Sequence, residues 1–182
     1  MYLPNLKLYH CNTKINIELA ISDNNYLILK STNDRYWIGD GIYFWDNLSN
    51  AKYWKSEKER KNSDNPKKIE FSIASAIVKL DKLLDLTDSD VLRALEEVFN
   101  QFYIINPTFK KLYFGEKINF YFEEYPDIQN KYEVIKANGN YPKLITNLFP
   151  YNPKKLGITS NVRTIYNVIN LNAIVELKEE VS

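Results

Sequence analysis

The 182-residue chain has a single histidine, a single cysteine and a single methionine, and these scarcities exclude a good deal of chemistry. One Cys, Cys11, cannot close an intrachain disulfide. With His10 as the sole imidazole, the pair is too poor a donor set for a zinc site. A long apolar run is missing too: the longest uncharged, mostly apolar stretch, residues 71–78, falls far short of the roughly 18–20 needed to span a bilayer. The opening Met1-Tyr-Leu-Pro-Asn-Leu-Lys lacks a charged n-region and an apolar h-region, so no signal peptide is expected and a cytoplasmic, non-membrane protein is. Neither sign of charge dominates. Lys and Arg number 24 against 23 Asp and Glu, a net charge of +1, so no global field draws the chain to nucleic acid or membrane.

What is present is core material. Apolar residues make up 45% and aromatics 14%, too many large side chains for a disordered chain. The length suits one domain, 1–182. Residues 6–9 read as a strand ending at His10. Thr13 caps a short helix with Ile17, Ala20 and Ile21 as its apolar stripe. Residues 31–35 have loop composition, and 42–45 fit a buried strand. Asn47 or Ser49 starts a helix facing Ala51 and Trp54 inward, which ends in a solvated charge run, 55–68. Residues 69–80 read as a strand and 83–86 as a shorter apolar piece. Thr87 followed by Asp90 resembles a capping pair opening a helix in which Val91, Leu92, Leu95, Val98, Phe99 and Phe102 fall at helical spacing until Asn106-Pro107 ends it. Short helices are expected in the aromatic region that follows, one over 128–137. Strands at 162–169 and 173–177 flank a turn at 170–172. Strands and helices mix without regular alternation, so the fold class is α+β.

Most catalytic signatures fail. There is no Walker loop, no G-x-G-x-x-G, no G-x-S-x-G and no H-E-x-x-H. Glu96-Glu97 and Glu123-Glu124 read as solvent-facing pairs, and Asp81, Asp85, Asp88 and Asp90 as cap and turn residues, since their spacing is not that of a calcium loop. Residues 52–68 carry seven Lys or Arg against three acids beside Tyr53 and Trp54. That is a solvated helix end or, alternatively, a surface for a nucleic-acid backbone and its bases.

The informative combination is Tyr9-His10-Cys11, then Trp37-Ile-Gly39-Asp-Gly41-Ile-Tyr43-Phe44-Trp45-Asp46, then Ala51-Lys-Tyr-Trp54. Here the sequence resembles the ADP-ribosyltransferase superfamily, in the His-Tyr branch with poly(ADP-ribose) polymerases and diphtheria-toxin-like enzymes. Bacterial and phage toxin-type members are the nearest in look, and Leu84-Asp-Leu-Thr-Asp88 is similar to their strand-exit segment. The specific motifs cover about the first half of the chain. The resemblance implies two split antiparallel β-sheets with flanking helices and NAD, as substrate, in the crevice between them. His10 would hydrogen-bond a ribose hydroxyl, and the main chain at Cys11 would pair with the nicotinamide amide. Tyr43 would stack on the nicotinamide ring, with Gly39 and Gly41 permitting close approach. Cleavage passes through an oxocarbenium-like state, so alignment of NAD and acceptor matters more than a strong base.

The sequence departs from the family pattern in two places. Cys11 replaces the usual Gly after the His. The late-strand Glu falls nominally at Ile165, where Arg163, Thr164 and Asn167 are the polar neighbours and no carboxylate follows until Glu176. Arg163 and Thr164 are the candidates for that third position. The leading expectation is transfer of ADP-ribose to a macromolecular acceptor, protein or nucleic acid, in toxin or phage–host conflict, with an antitoxin or inhibitor protein as a further partner. The alternative is a catalytically inactive module of the same fold that binds NAD, ADP-ribose or a partner protein.

Overall fold

The computed structural model describes residues 5–141 and 161–180. It is a mixed α+β fold built on a seven-stranded sheet of order β4-β5-β6-β2-β1-β3-β7. The strands are β1 (Leu6–Thr13), β2 (Ile42–Trp45), β3 (Phe71–Val78), β4 (Leu83–Asp85), β5 (Val134–Asn140), β6 (Val162–Val168) and β7 (Ile174–Glu179). Only β4 and β5 run parallel; every other neighbouring pair is antiparallel. The helices are α1 (Lys14–Ser22), α2 (Leu48–Lys61), α3 (Ser89–Ile105), α4 (Phe114–Glu124) and α5 (Pro126–Lys131). No helix among the described residues is long and apolar enough to cross a membrane.

Strand alternation divides the core in two. Leu8, Ile42, Phe44, Ala74, Ala76, Tyr166 and Val168 face one layer, closed by Ile17 and Ala20 of α1. Cys11, Trp45, Ile73, Ile135 and Ile165 face the other, against Ala51 of α2, Leu95, Phe99 and Phe102 of α3, and Ile118 and Phe122 of α4. Of the stripe foreseen on α1, Ile17 and Ala20 are buried and Ile21 partly so; on α3, Leu95, Phe99 and Phe102 are buried, while Leu92 is exposed.

Local signals acted largely as expected. Thr13 Oγ1 accepts from Asn16 N at 3.3 Å and opens α1. Asn47, not Ser49, caps α2 through Asn50 N at 2.9 Å. Helix α2 does end within the charge run, at Lys61, with Lys58, Arg60 and Lys61 in its last turn, where they suit the helix dipole. Three readings are corrected. β1 runs past His10 to Thr13, because His10 to Thr13 pair with Ala74 to Phe71 of β3. Asp88 rather than Thr87 caps α3, accepting from Asp90 N at 2.7 Å, while Thr87 turns back to Asp85. The helix expected over 128–137 stops at Lys131, and β5 begins at Val134, inserted between β4 and β6 with Val134 and Ile135 fully buried. The last two strands are also not neighbours: β6 lies between β2 and β5, whereas β7 edges the sheet beside β3.

One seam in the sheet is narrow. β1 and β2 share a single registered pair, Tyr9 with Trp45, while β1 meets β3 over its whole length. Beyond that pair the two central strands part.

Candidate functional site

A cleft of about 610 Å³ opens at this seam. It is lined by His10, Cys11, Tyr43, Trp37, Trp54 and Lys58, together with the loop 28–36. His10 shares the strand parity of Leu8, whereas Cys11 and Tyr43 belong to the opposite face. Residues of both faces can line one cavity only where the strands separate, so the narrow seam places the cleft.

His10 is almost fully buried and doubly bonded. Its ring lies 2.7 Å (Nδ1) from the Tyr43 carbonyl and 3.2 Å (Nε2) from Asn12 Nδ2. A carbonyl only accepts, so Nδ1 carries the hydrogen and donates it. Nε2 then accepts from the Asn12 amide, which fixes the tautomer. Burial depresses the imidazole to about 4, with the nearby Lys58 charge adding to the effect against the opposing Tyr43 bond. The ring is therefore neutral at physiological pH, and the only ligand group it can receive at Nε2 is a donor such as a hydroxyl.

Tyr43 is held by its hydroxyl. The oxygen bonds the Asp34 carboxylate, lies 2.6 Å from the Gly39 carbonyl and accepts from Ile38 N at 3.1 Å. Burial and the Asp34 carboxylate push its ionisation far above the ordinary phenol range. Asp34 also accepts from Tyr36 N and Trp37 N, both at 3.0 Å. That Asx turn folds the 34–39 loop over the cleft, and the ring of Trp37 meets Tyr43 edge-on with centroids 6.1 Å apart. Trp54 stands 6.2 Å from Trp37, so two walls of the cleft are aromatic.

Lys58 reaches in from α2 and donates to the Cys11 carbonyl at 2.8 Å. Its burial lowers its proton affinity. The Cys11 thiol is buried as well and pushed up to about 11, mainly by desolvation, so it is a small core filler and no nucleophile.

The remaining sequence candidates lie elsewhere. Gly41 does not line the cleft. It bridges Ser31 through two main-chain bonds of 2.8 and 3.1 Å, and its missing Cβ makes room for Asn167. Asn167, wholly buried, turns its Nδ2 to the carbonyls of Ile38 at 3.1 Å, Gly39 at 3.0 Å and Asp40 at 3.4 Å. Ile165 is part of the cleft wall, an apolar side chain at the position aligned with the late-strand Glu. Thr164 shares the parity of Tyr166 on the other face, where its hydroxyl donates to Asn138 Oδ1 at 3.3 Å. Arg163 has Ile165's parity but stacks between Tyr53 and Tyr141 outside this cleft. Among the described residues the only carboxylate in the cleft lining is that of Asp34, already engaged with Tyr36, Trp37 and Tyr43.

Part of the basic stretch is engaged within the fold. Arg60 pairs with Glu57 at 2.8 Å, Lys55 with Glu59 at 3.8 Å, and Lys58 turns inward. No group of three or more His, Cys, Asp or Glu able to hold a metal ion occurs among the described residues. The residues of the site that sequence reasoning did not single out are Asn12, Asp34 and Lys58, while Asn167 was named only as a polar neighbour of the third position. Asp34 had a signal in its turn-forming Ser-Thr-Asn-Asp context; Lys58 had none, because its partner at Cys11 is distant in the chain, and Asn12 matters only through the tautomer it sets on His10.

No family model matches the chain, and no solved structure matches it. An uncharacterized protein of Methanocaldococcus jannaschii is 30% identical over 82 residues, which is 45% of this chain and 37% of that protein. The chain thus spans little more than a third of the length of the curated relative it matches.

Proposed function

We propose that the protein is a NAD-dependent ADP-ribosyltransferase of the cytoplasm acting on a macromolecular acceptor, with NAD in the seam cleft. The observation that carries this reading is the convergence of His10 and Cys11 of the first motif with Tyr43 of the second on one cleft where β1 and β2 part. On this reading the parted seam is the crevice of a split sheet. The Nε2 of His10 takes a ribose hydroxyl as donor, displacing Asn12. Tyr43, locked by Asp34, offers a preorganised ring edge and face to the nicotinamide. The Cys11 carbonyl receives the nicotinamide amide, and Lys58, released from that carbonyl, turns to the nearest phosphate.

A second reading is favoured by Ile165 and Asp34. An apolar side chain fills the aligned carboxylate position, and the one acid in the cleft is spent on holding the loop. A module that binds NAD or ADP-ribose without turning it over has this composition.

Calorimetry with NAD, run beside a nicotinamide-release assay and labelling of a cell extract by tagged NAD, separates the two. Binding with nicotinamide release and labelling supports the transferase; binding without release supports the module; absence of binding removes both. Lys58→Ala is the informative variant, and it should weaken NAD binding about tenfold while leaving the fold in place. Tyr43→Ala is a poor probe, because its hydroxyl organises Asp34, Ile38 and Gly39 and its loss disturbs the whole loop.

A further inference from the structure

Arg163 presents an unsolved electrostatic problem outside the seam cleft. The residue is only 4% exposed. Its guanidinium carbon sits 4.0 Å from the ring centroid of Tyr53 and 4.4 Å from that of Tyr141. Two of its nitrogens, Nε and Nη1, are buried with no hydrogen-bond partner among the described residues. The same is true of the Tyr141 hydroxyl. None of the ion pairs among the described residues includes Arg163. Stacking on two aromatic faces offsets part of the cost of burying a cation, but it satisfies none of the in-plane N–H groups.

The surroundings supply a cavity. Tyr141, Gly139, Asn138 and Ile165 line a second cleft of about 670 Å³, which shares Tyr36, Trp37 and Ile165 with the first. Gly139 pairs in register with Arg163 across β5 and β6. A Cβ on Gly139 would lie 3.0 Å from the Tyr141 ring, so the absent side chain leaves room for that ring over the guanidinium. No lysine, arginine or carboxylate lines the second cleft itself. Beside a neutral cavity, then, stand a buried cation and a phenol hydroxyl with unused hydrogens.

We propose that Arg163 and Tyr141 are the donor set of an oxyanion site at the edge of the second cleft, taking the phosphate or carboxylate group of a ligand seated there. Guanidinium N–H groups and a phenol O–H are donors matched to such an anion, and its charge supplies a counter-ion that the described residues do not. This site stands independently of the NAD reading of the first cleft.

The test is thermal unfolding of the whole chain in inorganic phosphate or acetate, against chloride at equal ionic strength. A ligand that binds only the folded state raises the melting temperature in a saturable way. Phosphate, acetate or both should do so for the wild type, and which of them acts identifies the group recognised. Arg163→Met should abolish the response, yet melt no lower than the wild type in chloride, because it removes an uncompensated buried charge. Tyr141→Phe should weaken the response several-fold while leaving the chloride melting point unchanged or higher. The proposal is overturned if neither anion gives a saturable shift in the wild type. A response that survives unchanged in both variants overturns it as well. So does a markedly lower melting point of both variants in chloride, which would mean that the two groups are already satisfied within the fold.

Discussion

Gly41 and Asn167 should behave as one unit in a double-mutant cycle. A Cβ on Gly41 collides with Asn167 Oδ1 and lies 2.7 Å from both Asn167 Cγ and the Val168 carbonyl oxygen. The amide cannot retreat, since it is wholly buried and its Nδ2 is fixed on the Ile38 and Gly39 carbonyls. Overpacking of this kind costs about 1–3 kcal/mol. Breaking those two bonds adds about 1 kcal/mol each, so Gly41→Ala should lose about 3–5 kcal/mol in all. For a domain of this size that is a fall of about 6–20 °C in melting temperature. Asn167→Ala alone should cost about 2–3 kcal/mol through the same carbonyls and the space it leaves. In the double variant the new methyl occupies part of that space, and only the Val168 contact persists. Its cost should therefore fall short of the sum by at least about 1.5 kcal/mol, read from urea unfolding of the four proteins. Additivity within about 0.5 kcal/mol would refute the reasoning, because it would mean that Gly41 and Asn167 do not share one space.

Two further outcomes follow from the buried groups of β1. The unfolded chain protonates His10 near pH 6.5, but the folded chain keeps it neutral down to about 4, so its contribution is intact above 6.5 and is lost as the pH falls toward 4. Between pH 7 and 5 this amounts to about 2 kcal/mol of urea-measured stability, a loss that His10→Gln should not show; equal slopes in the two proteins would contradict the assigned burial. Cys11, with its thiol pushed up to about 11 and its side chain buried, should resist iodoacetamide at pH 8 in the folded protein and react within minutes in urea. Rapid native-state alkylation would show that β1 opens beside the cleft.

How much of this was legible in the sequence depended on whether a residue's role was local. Thr13, Asn47 and Pro107 act on their own helix ends, and all three could be read. The buried stripe of α3 could also be read, because its period belongs to one helix. β5 could not. Its Lys-Ala-Asn-Gly-Asn half is no strand by propensity, and only pairing with β6 from Val134 to Asn140 extends it. The candidate site divides in the same way. His10, Cys11 and Tyr43 were found because their motifs are contiguous. Lys58 was lost in a charge run, since nothing local distinguishes the one lysine of α2 that points to Cys11. Thr164 and Arg163 were adjacent candidates for a single position, yet strand alternation sends them to opposite faces.

The scarcity of reactive side chains constrains the ligand once hydrogen-bonding capacity is followed atom by atom. Asp34 gives its oxygens to two backbone amides and Tyr43, and Asn167 gives its nitrogen to three carbonyls. These groups build the cleft and have little left for a visitor. The unused capacity lies with Lys58, two of whose three ammonium hydrogens are uncommitted, and with Arg163 and Tyr141 beside the second cleft. His10 Nε2 is the ring acceptor of the first cleft, and it is shared with Asn12. Among the described residues the first cleft thus carries Lys30, Arg35 and Lys58 against one carboxylate, Asp34, and the second lies beside Arg163, with tryptophan and tyrosine rings in the walls. A ligand matched to that balance is anionic, rich in acceptor oxygens, and carries a flat ring with a hydroxyl nearby. A dinucleotide has that composition. A peptide of basic side chains has the reverse charge, and would bring cations against Lys58 and Arg163.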